Sequence, residues 1–269
     1  MTRAPFGSAL RRAARAAVAA LALLAAPPVA PPAAAAPARP TVEELLNATD
    51  DLARGASSHG TLRMTVTNRT GTRTMAMEVW TRGTDESLVL IQEPAKDKGV
   101  ATLKVGENIW NYLPKVDRTV KVPASMMGGA WMGSHLTNDD LVKSSRMAED
   151  FTATLVEEPT PAGQGRWVLS LVPKPDAAVV WGKVVVEIRA DRQPERILYY
   201  DEGTAGQPGR LVRSLVFSDI RSQGGRTFPA RMSVIPADAP AEKTELVYEK
   251  MQFDLPLPDS TFSLQSLRR

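Results

Sequence analysis

Apolar residues fall on every second position through most of the chain after Ser58, and that period constrains the fold more than any other feature of the sequence. Leu62, Met64 and Val66 alternate with Thr61, Arg63, Thr65 and Thr67. Past the turn residues Asn68-Arg69-Thr70-Gly71, Met75, Met77 and Val79 alternate with Thr74, Ala76, Glu78 and Trp80. Side chains of a strand point alternately to its two faces, so this period predicts a hairpin with one apolar and one polar face. Further strands are expected over Leu88–Ile91, ended by Pro94, then Val100–Val105 and Ile109–Leu113. Later in the chain come Thr152–Glu157, Arg166–Val172, Val179–Ile188, Pro194–Tyr200, Leu211–Ile220, Phe228–Ile235 and Glu245–Phe253. Within Leu211–Ile220, the residues Leu211, Arg213, Leu215 and Phe217 share one phase, against Val212, Ser214, Val216 and Ser218. Many short strands at regular spacing, with no βαβ rhythm, predict a meandering antiparallel sheet or barrel.

Helical spacing occurs once before the strands. Thr41 stands three residues ahead of Glu44, the pattern of a capping box. Val42, Leu45, Leu46, Thr49, Leu52 and Ala53 mark one face, which predicts an amphipathic helix packed on the sheet. Asp259-Ser260-Thr261-Phe262 suggests a closing helical turn.

Residues 1–36 read as a secretory signal peptide: Arg3, Arg11, Arg12 and Arg15, then an apolar run Ala16–Ala26, then small residues Ala33–Ala36. The apolar run is shorter than the ~20 residues needed to span a bilayer. Cleavage is expected between Ala34 and Ala38, leaving residues 37–269 as a single exported domain in the periplasm. Loss of those four arginines takes the formal charge from +3 to −1, which removes the basic footprint that nucleic-acid binding requires. With no cysteine in the chain, disulfides, thiol chemistry and an acylated N-terminal cysteine are excluded.

The least ordinary stretch is Trp110–Leu141. Trp110 and Tyr112 run into Pro114. A basic segment with Lys115, Arg118 and Lys121 follows, read as a solvated face or as protection of an edge strand. Then comes a glycine-rich run that is nonetheless apolar: Met126, Met127, Gly128, Gly129, Ala130, Trp131, Met132, Gly133. Loops run over the surface and are usually polar. Methionine is over-used on adaptable apolar surfaces, so Met126, Met127, Trp131 and Met132 suggest a mobile flap facing a ligand or a partner. Met64 and Met75 fit an ordinary core equally well.

Catalytic groups are few. His59 and His135 are the only histidines, and no G-x-S-x-G elbow is present. Gly133-Ser134-His135 lies in the flexible run. His135 and Asp139, four apart, could share a metal on a helix, but Thr137 reads as the helix cap, which puts His135 outside it. Asp139 and Asp140 then fall in the first turn, where the helix dipole favours negative charge. No catalytic residue, metal or cofactor is expected.

Several of these features together resemble a known family. They are Trp80, the Glu93-Pro94 strand end, the W-x-Y-x-P of Trp110 to Pro114, and the M-G-S-H-L-T-N-D-D-L of Met132 to Leu141. Glu149-Asp150-Phe151 and the F-P-x-x-M of Phe228 to Met232 extend the match. The chain resembles the exported outer-membrane lipoprotein-sorting proteins of the LolA-like group over nearly all of residues 37–269. Members commonly carry Asp where His135 stands. The resemblance implies a strongly curved antiparallel sheet, an unclosed barrel, with an N-terminal helix and a short lid helix over an apolar cavity. It further implies a periplasmic carrier that binds acyl chains of lipoproteins or lipids and moves them toward the outer membrane. The lining expected for that cavity and its flap is Leu62, Met64, Val66, Met75, Met77, Val79, Trp110, Tyr112, Met126, Met127, Trp131 and Met132. Its partners would be the acyl cargo and an envelope transporter or outer-membrane acceptor. The rival reading is a non-enzymatic sensor or accessory subunit of an envelope transporter; a hydrolase using Ser134 and His135 ranks last.

Overall fold

The computed structural model describes residues 39–51, 54–143, 147–160, 162–204 and 207–268. The signal-peptide segment, residues 1–36, and the helix-face residues Leu52 and Ala53 lie outside them. Thirteen strands form a single sheet among the described residues. They are β1 (Ser57–Asn68), β2 (Gly71–Arg82), β3 (Glu86–Glu93), β4 (Ala101–Val105), β5 (Asn108–Leu113) and β6 (Arg118–Lys121), then β7 (Phe151–Glu157), β8 (Arg166–Pro173), β9 (Lys183–Arg189), β10 (Pro194–Tyr200), β11 (Leu211–Gln223), β12 (Arg226–Pro236) and β13 (Lys243–Phe253).

Strand order is β6-β5-β4-β3-β2-β1-β13-β12-β11-β10-β9-β8-β7, and every neighbour pair is antiparallel. The sheet is therefore two meanders, β1–β6 and β7–β13, stitched by the pairing of β1 with β13. Strands β6 and β7 are its two free edges, so the barrel is unclosed. Both edges are blunted against pairing with another chain. β6 is four residues long and carries Arg118 and Lys121, while β7 has a register shift between Leu155 and Glu157.

The expected alternation sets the two faces. Leu62, Met64 and Val66 of β1 oppose Met77, Met75 and Arg73 of β2, and the five apolar members are buried on the inner face. They join Val89, Ile91, Leu169, Leu171, Val184, Val186, Ile197, Leu215, Val234 and Leu246 in one core. Helix α1 (Val42–Asp51) lays Leu45 and Leu46 on that core. Burying a leucine side chain contributes about 1.5–3 kcal/mol, enough to dock a helix this short. Its capping box is formed: Glu44 N donates to Thr41 Oγ1 at 3.1 Å, and Thr41 N donates to Glu44 Oε2 at 2.8 Å.

The outer face carries a cover near the β3–β5 side. There Leu88, Ala101 and Leu103 pack under Phe262 and Leu267, which come from two 3-10 turns, Asp259–Phe262 and Leu264–Arg268. Arg82 pins this cover by bonding Glu86 and Asp259 while lying 5.1 Å over the Phe262 ring.

Two expectations about elements change. The basic segment after Pro114 contains a strand, β6, too short and charged for its alternation to register. The strand expected from Val179 begins only at Lys183; before it Val179 and Trp181 pack against the core, and Gly182 N bonds the Tyr200 carbonyl at 3.0 Å.

Candidate functional site

Topology requires a lid. The chain must travel from edge β6 to edge β7, which lie twelve strand steps apart; flat, that is about 58 Å at ~4.8 Å per step. The connection crosses the inner face instead. It contains 3-10 turns at Ala124–Met126 and Trp131–Gly133, helix α2 (Asn138–Lys143) and helix α3 (Met147–Asp150).

Below it lies a cavity of about 250 Å³. Val89, Val79, Leu62, Leu246, Met232, Leu215 and Tyr199 face it from seven consecutive strands, β3 through β10, and Lys104 extends the wall to β4. Eight strands laid flat would cover about 34 Å. A cavity this small reaches all of them only because the sheet is strongly curved. Trp131, Leu136 and Leu141 form the roof.

Between Trp131 and Asp140 the described bonds fasten the lid at four places. Trp131 Nε1 donates to Thr102 Oγ1 on β4 at 3.2 Å, and the Thr102 hydroxyl donates onward to Asn111 Oδ1 at 2.8 Å. Arg73 of β2 bonds the Met132 carbonyl, next to two left-handed residues, Met132 and Gly133. His135 N donates to Thr244 Oγ1 of β13 at 2.9 Å, and the His135 ring contacts the same hydroxyl at 2.9 Å. Finally Arg213 of β11 grips Asp140 of α2 through both guanidinium nitrogens, with Nη1 to Oδ2 at 2.7 Å.

This last pair is deeply buried, with side chains 8% and 14% exposed. The Arg213 guanidinium also lies 4.7 Å from the Trp181 ring and 4.6 Å from the Tyr199 ring. Burial opposes its charge, yet the bonds to Asp140 outweigh that and leave its pKa raised. Asp140 Oδ2 accepts from Thr137 N at 2.7 Å too, while Thr137 Oγ1 accepts from Asp140 N at 3.1 Å. Thr137 is thus the helix cap expected of it, and Asp140 serves the cap and the latch together.

The expected site residues divide into three groups. Leu62, Val79 and Trp131 line the cavity. Met64, Val66, Met75 and Met77 share the inner face but are packed in the core; Met132 is half-buried against them. Met126 is 59% exposed and Met127 half-buried in the turn that Asn138 braces through the Met126 carbonyl. Trp110 and Tyr112 stand elsewhere: they pack with Leu88, Leu103 and Phe262 on the outer face, because Ile109 and Asn111 hold the inner phase of β5.

Ser134 and His135 do not meet as nucleophile and base. Ser134 Oγ donates to the Trp131 carbonyl at 2.7 Å and accepts from Leu136 N at 3.1 Å, while the His135 ring faces Thr244 and, at 3.5 Å, Glu242. Among the described residues, no group of three or more potential ligands could hold a metal, and no helix is long and apolar enough to cross a membrane.

Sequence reasoning missed the inward-facing Arg213 and Lys104. A signal was present for Arg213. Arg213 shares the phase of Leu211, Leu215 and Phe217, whereas Lys104 shares the phase of polar Thr102 and reads as an outward position.

An open, curled antiparallel sheet with a lid strapped across an apolar cavity defines a LolA-like domain. Solved structures carry the same fold. An outer membrane lipoprotein-sorting protein domain from Vibrio parahaemolyticus aligns at TM-score 0.69 and 22% identity, covering 84% of this chain and 98% of that one. A LolA superfamily protein from Nitrosomonas europaea aligns at 0.67 and 19% identity, covering 85% and 100%. A DUF1329 family protein from Desulfovibrio piger aligns at 0.70 and 22%, covering 83% and 96%. A family model described as that of an uncharacterized protein, the DUF1329 family, matches residues 83–269. The chain belongs to that family. None of the curated proteins matches it by sequence.

Proposed function

We propose that this protein is an exported periplasmic carrier that shelters acyl chains of lipids or lipoproteins and delivers them toward the outer membrane. One observation carries the reading: a cavity of about 250 Å³ with apolar walls drawn from Leu62, Val79, Val89, Leu215, Met232 and Leu246, under a roof of Trp131 and Leu141. An apolar cavity of about 150 Å³ suffices to hold benzene, so this one accepts a length of acyl chain. About ten buried methylenes contribute about 8 kcal/mol before the cost of ordering the chain. No covalent chemistry is needed; the work is exclusion of water from the cargo.

The test is uptake of a fluorescent acyl probe by delipidated protein. Trp131→Asp puts a charge into the roof and Val79→Trp fills the cavity from β2; each should lower uptake at least tenfold. Unaltered uptake in both variants, or none in the wild type, sinks the reading. Lipid recovered at one molecule per chain from gently purified protein supports it. A stable protein complex free of lipid overturns it in favour of an accessory subunit.

A further inference from the structure

Apolar and basic side chains share exposed surface at one corner of the sheet, where β5 meets the edge strand β6. Of the eleven large apolar side chains exposed among the described residues, four fall in this one segment: Leu113, Val116, Val120 and Met126, each 42–60% exposed. Leu113 pairs with Arg118 and Asn111 with Val120, so Leu113, Arg118 and Val120 share one face of the β5–β6 pair. On the other face Lys121 lies 5.7 Å over the Trp110 ring, and Arg268 lies 5.9 Å over that of Tyr112. Lys115 and Val116 stand at the tip, in the 3-10 turn Pro114–Val116. Because β6 ends the sheet, a flat surface laid against this edge meets residues of both faces at once.

Positive charge gathers at the same corner. Lys115, Arg118 and Lys121 are exposed. The β3–β4 turn brings exposed Lys96 and Lys98 alongside, since a Cβ on its Gly99 would lie 3.4 Å from the Pro114 ring. With Arg268 that makes six cations against four carboxylates, Glu93, Asp97, Glu107 and Asp117. The corner is therefore positive, although residues 37–269 total −1. Guarding an edge against strand pairing needs the cations but not the exposed leucine and valines. The centre of a protein–protein contact is depleted in lysine. A bilayer surface answers all three kinds of group: anionic headgroups take the cations, the interfacial layer takes Trp and Tyr, and the outermost acyl region takes the apolar tip.

From this we infer that the β5–β6 corner docks the protein edge-on against an anionic lipid bilayer. The inference goes beyond the carrier reading and does not depend on the cavity. It also sets the first turn of the lid, Ala124–Met126, beside the lipid.

Vesicle flotation tests this with residues 37–269, because the basic and apolar residues 1–36 would bind lipid by themselves. At about 50 mM salt the protein should bind vesicles of ~30% phosphatidylglycerol in phosphatidylcholine about tenfold more tightly than vesicles of phosphatidylcholine alone. Raising the salt to about 500 mM should release most of it. The double variant Lys115→Glu/Arg118→Glu and the single variant Val116→Asp should each weaken binding about tenfold. Lys250→Glu, the same charge change on an exposed lysine of β13, should stay within about twofold of the wild type. The substituted side chains are exposed, so thermal midpoints should hold; if the double variant does not fold, Lys115→Gln/Arg118→Gln takes its place. Absence of binding to the anionic vesicles, equal binding to the neutral ones, or wild-type affinity in either the double variant or Val116→Asp overturns the inference. So does a dimer by light scattering that Val116→Asp splits while vesicles stay unbound, which assigns the corner to a second copy of the chain.

Discussion

Single residues carry more of this fold than their types announce. Gly60 on β1 is an example: a Cβ built there would lie 2.2 Å from the Lys250 carbonyl oxygen and 2.3 Å from Met251 Sδ. It sits beside the register shift at Thr61/Leu62, where β13 presses against β1. Gly60→Ala should destabilise the protein by about 1–3 kcal/mol, as over-packing does. Gly128→Ala, in open space, should leave the urea midpoint nearly unchanged. A Gly60→Ala midpoint equal to wild type would refute this. Tyr248 borders the cavity, and burial pushes its phenol pKa upward. The neutral phenol is thereby favoured in the folded state. Its contribution is complete below the unfolded value of about 10 and is lost as pH rises through the folded value. Tyr248→Phe should flatten the alkaline fall in stability, and an unchanged slope between about pH 9 and 11 would contradict that. Neither residue was legible in the sequence. A glycine in a strand reports only that something comes close, and a tyrosine in an apolar phase does not reveal a cavity.

At the scale of elements, strands and caps were legible because their chemistry is local. Period two located β1, β2 and β11, and the spacing Thr-x-x-Glu or Thr-x-x-Asp located the starts of α1 and α2. Face assignment was not. Trp110 and Tyr112 alternate as well as Met75 and Met77 do, and alternation alone does not say which phase meets the lid; the distant Phe262 and Leu267 decide it. The lid, expected as a mobile flap, is held by named bonds, of which Asp140–Arg213 is a buried ion pair. Removing one partner of a buried pair leaves the other charge stranded, at about 3–5 kcal/mol. Asp140→Ala should therefore raise amide exchange across Trp131–Lys143 well before it affects β8 and β9, and should speed probe entry. Uniform exchange throughout the protein would show that the pair stabilises the whole sheet rather than the lid.

For the whole molecule, residues Pro40–Arg269 form one compact unit. The two meanders share the β1–β13 seam, and their inner faces contribute to a single core that α1 and Trp131 complete. Thermal unfolding should accordingly show one transition, with calorimetric and van't Hoff enthalpies in agreement. Two resolved transitions would mean the meanders unfold separately. The fold class was legible at this scale because many short strands without crossovers leave few alternatives. The cavity was legible only through family resemblance, since curvature arises from pairings such as β1 with β13 that lie far apart in the sequence.

The connection between β6 and β7 is tied to both free edges of a curved plate, like a bowstring. Its length limits how far those edges can part, and so limits the girth of whatever the plate encloses. A hairpin loop lengthened by a few residues changes nothing but itself; the same insertion between Val122 and Asp150 slackens the string and resizes the hold. Among relatives, the number of residues in this one segment should then rise with the volume of the space beneath it.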